Sequence, residues 1–413
     1  MCPRLFRSRS PHRKNNVESL IHKSSFRRSL LKGDGKSGWW SVFPCRHNFC
    51  CIMTTSAFPE PTANCGSEST SHAPTSFIVP DLVSHCSYPL VYHPEGDSVA
   101  QQSVDWLDTS CPDLSAKQRR ALHGLKAGEL TAYCYHTTSP ERLRVISDFM
   151  NYLFHLDNIS DGMMTRDTEV LSDSVMNALW FSNFYRPTSS CGKKQPAEEL
   201  NAGKLARDFW ARCIPDAGPG TQARFKETLE LFFEAVNVQA QMRDTDCVAD
   251  LESYISLRRD TSGCKPCWAL IEYALDIDLP DFVVEDPIIM ALNQSTNDLV
   301  TWSNDIFSYN VEQSRGDTHN MIVILMKYHG HTLQSAVDYV GELCRLTIDA
   351  FQRDRESIPN WGPEIQAMVE KYITGLEAWI VGSLHWSFMT ERYFGKAGAE
   401  VKKNRFVALL PPV

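Results

Sequence analysis

The sequence predicts an all-α protein, and three observations carry that expectation. From about residue 114 onward, apolar residues recur with a helical period almost without interruption. The breaks between these stretches hold Pro, Gly or Asp, which stop helices. Short β-like runs such as Phe282 to Val284 are too few to build a sheet. The 413 residues show no internal repeat, and with 43% hydrophobic content they can bury a large core.

Taken in order, the chain opens on a basic segment. Residues 1–52 hold 11 Lys/Arg and only Glu18 and Asp34 as acids, leaving 30 basic against 48 acidic side chains in residues 53–413. This Arg- and Ser-rich stretch has no apolar period and is expected to be disordered on its own. It reads as a transit peptide, a solvated tail, or upstream sequence translated from a wrong start codon. Met53 begins a plausible fresh amino terminus, which favours the third reading. Gly35-Lys36-Ser37 lacks the glycine that a phosphate-binding loop needs, because Leu30 holds that position. Residues 53–77, rich in Ser, Thr and Pro, are expected to form a flexible leader. Ser139-Pro140-Glu141 starts a helix that runs through Phe149, Tyr152 and Phe154 toward Asp157: a cap oxygen, a proline in the first turn, then an acid at the positive helix end. Long periodic stretches follow near 197–214, 219–242, 284–312, 332–356 and 363–390.

Composition excludes several functions. A net charge of −9 argues against a general nucleic-acid binder. The aliphatic run Met321 to Met326 is far too short to span a bilayer, so a soluble, cytoplasmic protein is expected. The 14 cysteines have no disulfide-scaffold spacing and read as reduced and buried. Cys264 and Cys267 form a lone C-x-x-C without the second pair of a zinc site or the βαβ setting of a redox site.

Two acidic stations carry the chemistry. Asp157 and Asp161 lie four apart, stacked on one helix face at the end of an aromatic-rich helix. Asn304, Ser308 and Glu312 are spaced i, i+4, i+8, which keeps an amide carbonyl, a hydroxyl and a carboxylate on one stripe. Such oxygens suit a hard divalent cation like Mg²⁺, which completes its shell with water and substrate phosphates. The helix around them is otherwise apolar (Leu299, Val300, Trp302, Ile306, Phe307), so the stripe is expected to line a cavity. Cations accompany the stations: Arg258 and Arg259 before a Thr-Ser-Gly break, Arg315 just after Glu312, and the pair Arg392-Tyr393. Arg forks and Tyr hydroxyls suit diphosphate oxygens.

Together these positions resemble the class I terpene synthases, specifically the fungal sesquiterpene cyclases. The likeness covers roughly residues 78–395 and rests most on the nine-residue element from Asn304 to Glu312. Asp157 to Asp161 resembles the aspartate-rich motif, with Asn158 where many members carry a second acid. Arg259, 45 residues before Asn304, fits the pyrophosphate-sensing arginine, and Gly263 its effector position; Arg392-Tyr393 matches the carboxyl-terminal pair. Val311 departs from the lysine many relatives carry there, and Arg315 is expected to supply that charge.

The resemblance implies a single helical bundle around a central active-site cavity, with the cyclase domain at 78–400 and a tail at 401–413. It implies three Mg²⁺ ions held by Asp157 (with Asp161 in support), Asn304, Ser308 and Glu312, and diphosphate bound by Arg259, Arg315, Arg392 and Tyr393. It also implies a lyase that ionises farnesyl diphosphate and cyclises the cation, acting as a monomer or homodimer. The stretch Phe154 to Asp161 resembles the protoilludene-forming type, whose ring closes between carbons 1 and 11. Phe149, Phe154, Trp180, Phe181 and Trp302 are candidates to face the cation. A chain-elongating prenyltransferase would resemble two aspartate-rich motifs, and a helical scaffold would have no reason to assemble both stations. A protonation-driven cyclase needs a D-x-D-D element, and the sequence has none.

Overall fold

The computed structural model describes residues 74–188, 194–245 and 247–413. The expectations for residues 1–52 and for most of the 53–77 leader lie outside the described residues. Within them a short strand β1 (Ser76–Ile78) leads into helices α1 (Leu82–His85), α2 (Gly96–Ser110), α3 (Ala116–Leu125) and α4 (Ala127–Cys134). Next come α5 (Pro140–Ser160), α6 (Thr165–Trp180), α7 (Asn201–Cys213), α8 (Pro219–Asp244) and α9 (Leu251–Thr261). The chain continues through α10 (Cys264–Leu275), α11 (Asp281–Val284), α12 (Pro287–Ser314), α13 (Met321–Tyr328), α14 (Leu333–Glu356) and α15 (Pro363–Ser387). It finishes with α16 (Glu391–Phe394), α17 (Gly398–Asn404) and strand β2 (Phe406–Ala408). The fold is all-α.

Local chemistry sets where the site-bearing helices begin. The Ser139 side chain accepts from the Arg142 N–H and Pro140 occupies the first turn of α5. The Asp286 side chain accepts from Ile288 N–H ahead of Pro287 at the start of α12. Gly263 separates α9 from α10 with φ of +69°, a left-handed conformation that costs glycine little. The run Phe282 to Val284, β-like by composition, falls within the helical turn α11 because Pro280 and Asp281 start a helix there.

Helix α12 is the axis of the bundle. It packs against α14 on one side and α15 on another, and also meets α9 and α10. On the far side α5 packs against α2 and α10, and α8 against α6 and α10. The aromatic rings of Phe149, Phe209, Trp210 and Phe225 interlock between α5, α7 and α8, with centroids 4.9–6.3 Å apart. This places Phe149, fully buried, in core packing.

Within the tail expected at 401–413, residues up to Asn404 close α17 and Phe406–Ala408 form β2. Residues 398–404 are helical, and β2 pairs antiparallel with β1, Phe77 opposite Val407. Residue-level sequence patterns missed this ladder because each strand is only three residues long. Among the described residues no helix is long and apolar enough to cross a membrane.

Candidate active site

The two stations meet across one cavity. The end of α5 brings Phe154, Asp157 and Asp161 to it, α12 brings Asn304 and Glu312, and α16 brings Arg392 and Tyr393. Phe232 of α8 and Trp379 and Trp386 of α15 also line it, α9 contributes Arg258, and the break between α9 and α10 contributes Gly263. A Cβ at Gly263 would lie 3.1 Å from the Leu153 side chain, so the glycine lets the break pack against α5 one turn before Asp157.

Hydrogen bonds tie these residues into one network. Arg258 Nη2 donates to Asn304 Oδ1 at 2.9 Å, and the Asn304 amide donates to the Tyr393 hydroxyl at 2.6 Å. Behind them, buried Asp305 accepts from Arg258 at 3.2 Å, from the Tyr254 hydroxyl, and from the Met321 N–H at 3.0 Å. Asn320 Nδ2 donates to Glu312 Oε2 and to the Asp305 carbonyl, both at 2.8 Å. Across the cavity Arg392 Nη2 donates to Asp157 Oδ2 at 3.0 Å, with its guanidinium 5.4 Å from the Phe154 ring centre.

The arginine that reaches the cavity is Arg258, one residue before the expected one. Arg259 instead forms a two-point bond with Asp298, at 2.8 and 2.7 Å, on another face of α9. One residue turns a helix by about 100°, which separates the two guanidinium groups entirely. Arg315 is exposed at the C-cap of α12 and lines no part of the cavity. Of the expected aromatics only Phe154 faces the cavity. Trp302 is buried in the core, Trp180 is half exposed, and Phe181 carries the Arg186 guanidinium at 3.9 Å.

The donor set fits a hard divalent ion. Ser308 is buried, and its Oγ has no hydrogen-bond partner although it sits between Asn304 and Glu312 on the α12 stripe. Burial and then the neighbouring Asp305 push the Glu312 carboxyl up to about 7. Desolvation and then the Asp157 charge raise the Asp161 carboxyl as well. A divalent cation would add the positive charge that carboxylates crowded this way favour. Among the described residues no three His, Cys, Asp or Glu side chains group as a metal site by themselves. The second station adds only two neutral oxygens, from Asn304 and Ser308, to the Glu312 carboxylate, leaving coordination positions for phosphate oxygens.

Cys264 and Cys267 also line the cavity, and burial pushes the Cys264 thiol up to about 11 and holds the Cys267 thiol well above its ordinary value. Neutral thiols of this kind behave as small apolar groups. His319 also borders the cavity, 4.9 Å edge-on from the Tyr254 ring. Burial and the Arg258 charge push its pKa down to about 3, so it stands neutral.

The fold and this site define a metal-binding terpene synthase. The family described as terpene synthase family 2, C-terminal metal binding, matches residues 148–350. The chain belongs to the terpene synthase family, and within it to the fungal sesquiterpene synthases. It is 73% identical to the sesquiterpene synthase Agr3 of Cyclocybe aegerita, over 83% of this chain and 96% of that one. It is 72% identical to an alpha-muurolene synthase of Coprinopsis cinerea, over 83% of this chain and 79% of the relative. A delta(6)-protoilludene synthase of Stereum hirsutum is a more distant relative, 33% identical over 82% and 93% of the two chains. Among solved structures, germacradien-4-ol synthase from Streptomyces citricolor superposes with a TM-score of 0.62 at 21% identity, covering 73% of this chain and 96% of that one. That likeness bears on the fold alone.

Proposed function

We propose that this enzyme is a lyase that ionises (2E,6E)-farnesyl diphosphate, cyclises the carbocation and releases diphosphate. The observation that supports it is the convergence of Asp157 with Asn304 and Glu312 on one cavity whose wall also carries Phe154, Phe232, Trp379 and Trp386. Asp157, Asn304, Ser308 and Glu312 would hold Mg²⁺, three ions by family likeness, with Asp161 in support. When bound, the metal supplies positive charge to the leaving diphosphate.

The chain's own groups do the rest. Arg258, Arg392 and Tyr393 place donors where diphosphate oxygens gain charge. Arg392 is paired with Asp157 at 3.0 Å, so substrate binding exchanges that carboxylate for a phosphate oxygen and frees Asp157. The faces of Phe154, Phe232, Trp379 and Trp386 stabilise positive charge along the folded prenyl chain and keep water from it.

For the ring closure, whole-chain similarity outweighs the likeness around one motif. Identity of 72% to an alpha-muurolene synthase, against 33% to a protoilludene synthase, favours a cadinene-type product by 1,10-closure over the 1,11-closure expected from residues 154–161. The test is purified protein with farnesyl diphosphate, with and without Mg²⁺, followed by diphosphate release and gas chromatography with mass spectrometry. Mg²⁺-dependent release with a cadinene-type hydrocarbon supports the full reading. A humulyl-derived tricycle overturns only the closure mode. Chain elongation on adding isopentenyl diphosphate, or no turnover, overturns the cyclase assignment.

A further inference from the structure

We propose that the segment Phe406–Val413 is a strap that positions the ligand-bearing end of α12, with Asn310 as the positioning residue. The inference rests on the reading that Ser308 and Glu312 hold metal with diphosphate. Glu312 lies in the last turn of α12, and last turns fray because their carbonyls have no partners within the helix. A ligand there needs an external grip.

The strap supplies it from the opposite face. Asn310 sits about 200° around the helix from both Ser308 and Glu312. Its Nδ2 donates to the Ala408 carbonyl at 3.0 Å, and its Oδ1 accepts from the Leu410 N–H at 2.8 Å. Two bonds from one planar amide to one strand fix both the height and the rotation of the helix end. Gln313 Nε2 adds a bond to the Leu410 carbonyl at 2.9 Å, and the Val413 N–H satisfies the Ser314 carbonyl at 2.8 Å. The strap is itself anchored, since β2 pairs with β1 and Gln334 of α14 holds both backbone groups of Ile78, at 2.8 and 3.0 Å. On the ligand side Asn320 grips Glu312. The helix end is thus clamped from two sides, while the Ser308 hydroxyl stays free to bind.

The test compares the full chain with Asn310→Ala, Asn310→Asp and a deletion of residues 409–413. Each is titrated calorimetrically with MgCl₂ in the presence of inorganic pyrophosphate, and each is melted in chelator. Asn310→Ala and the deletion are expected to weaken metal–pyrophosphate uptake about 10-fold or more, the scale for groups that orient ligands. Asn310→Asp, which keeps the acceptor and loses the donor, should fall between, and melting in chelator should shift by a few degrees only. Asn310→Ala in the deleted background should add less than it does alone, because the deletion already removes the Leu410 bond and leaves only the Ala408 bond to cut. Unchanged uptake in Asn310→Ala, or full additivity, overturns the strap alone. A wild-type chain that takes up no magnesium pyrophosphate overturns the metal reading as well.

Discussion

Asn304 and Tyr393 are joined by a 2.6 Å hydrogen bond from amide to hydroxyl, which locks a candidate metal ligand on α12 to the short helix α16. The same Asn304 accepts from Arg258 through its carbonyl oxygen, so both ends of one amide are oriented by phosphate-binding candidates. Tyr393→Phe keeps the ring and removes the acceptor. We expect kcat/KM to fall about 10- to 100-fold while the melting temperature moves little, as for other groups that orient ligands. Steady-state kinetics beside a thermal melt checks this, and an unchanged kcat/KM would reduce Tyr393 to packing.

The adjacent arginines should separate cleanly. Arg258→Ala removes a cavity donor, and the expected result is loss of most turnover. Arg259→Ala leaves Asp298 buried and unpaired, which costs about 3–5 kcal/mol of stability. Arg259→Met with Asp298→Leu should recover most of that loss by making the pair apolar. Because Arg258→Ala likewise strands buried Asp305, both variants should lose stability by denaturant titration, and turnover of the folded protein distinguishes them; an active Arg258→Ala would reassign the two.

The ligand set makes a third prediction. Asp157→Ala, Asn304→Ala and Glu312→Ala should each nearly abolish turnover, and chelation should do so to the wild type, because the cluster acts as a unit. Asp161→Ala should be milder. Ser308→Ala is the most discriminating variant, since the Oγ it removes has no partner within the protein. Its melting temperature in chelator should equal or exceed that of the wild type, while turnover falls. A stability loss matching the activity loss would show a packing role.

Gly263→Ala tests the helix break. The position needs φ of +69°, and the new methyl would press on Leu153. We expect a loss of about 1–2 kcal/mol from the left-handed backbone alone. A rise in the metal concentration for half-maximal rate should accompany it, because Leu153 lies one turn before Asp157. Mg²⁺ titration of the rate would reveal an unaffected site if the two are uncoupled.

The start of α5 was legible because it depends on neighbours in sequence, Ser139 with Pro140. The Asn304, Ser308 and Glu312 stripe was legible for the same reason, since helix geometry alone aligns it. Which of two adjacent arginines faces the cavity depends on the rotation of α9 against α12, and nothing local encodes that phase. Phe232, Trp379 and Trp386 were missed likewise, because α8 and α15 are apolar on more than one side. The β1–β2 ladder has no local signal, as its partners come from opposite ends of the described chain.

The Arg392–Asp157 contact sets an order of events during synthesis. A ribosome makes the crowded carboxylates of α5 and α12 long before it makes residues 392 and 393. Until those two emerge, the nascent pocket holds acidic groups without the guanidinium that balances Asp157. On the proposed reading, a chain stalled before residue 392 would carry both stations of candidate ligands but neither Arg392 nor Tyr393.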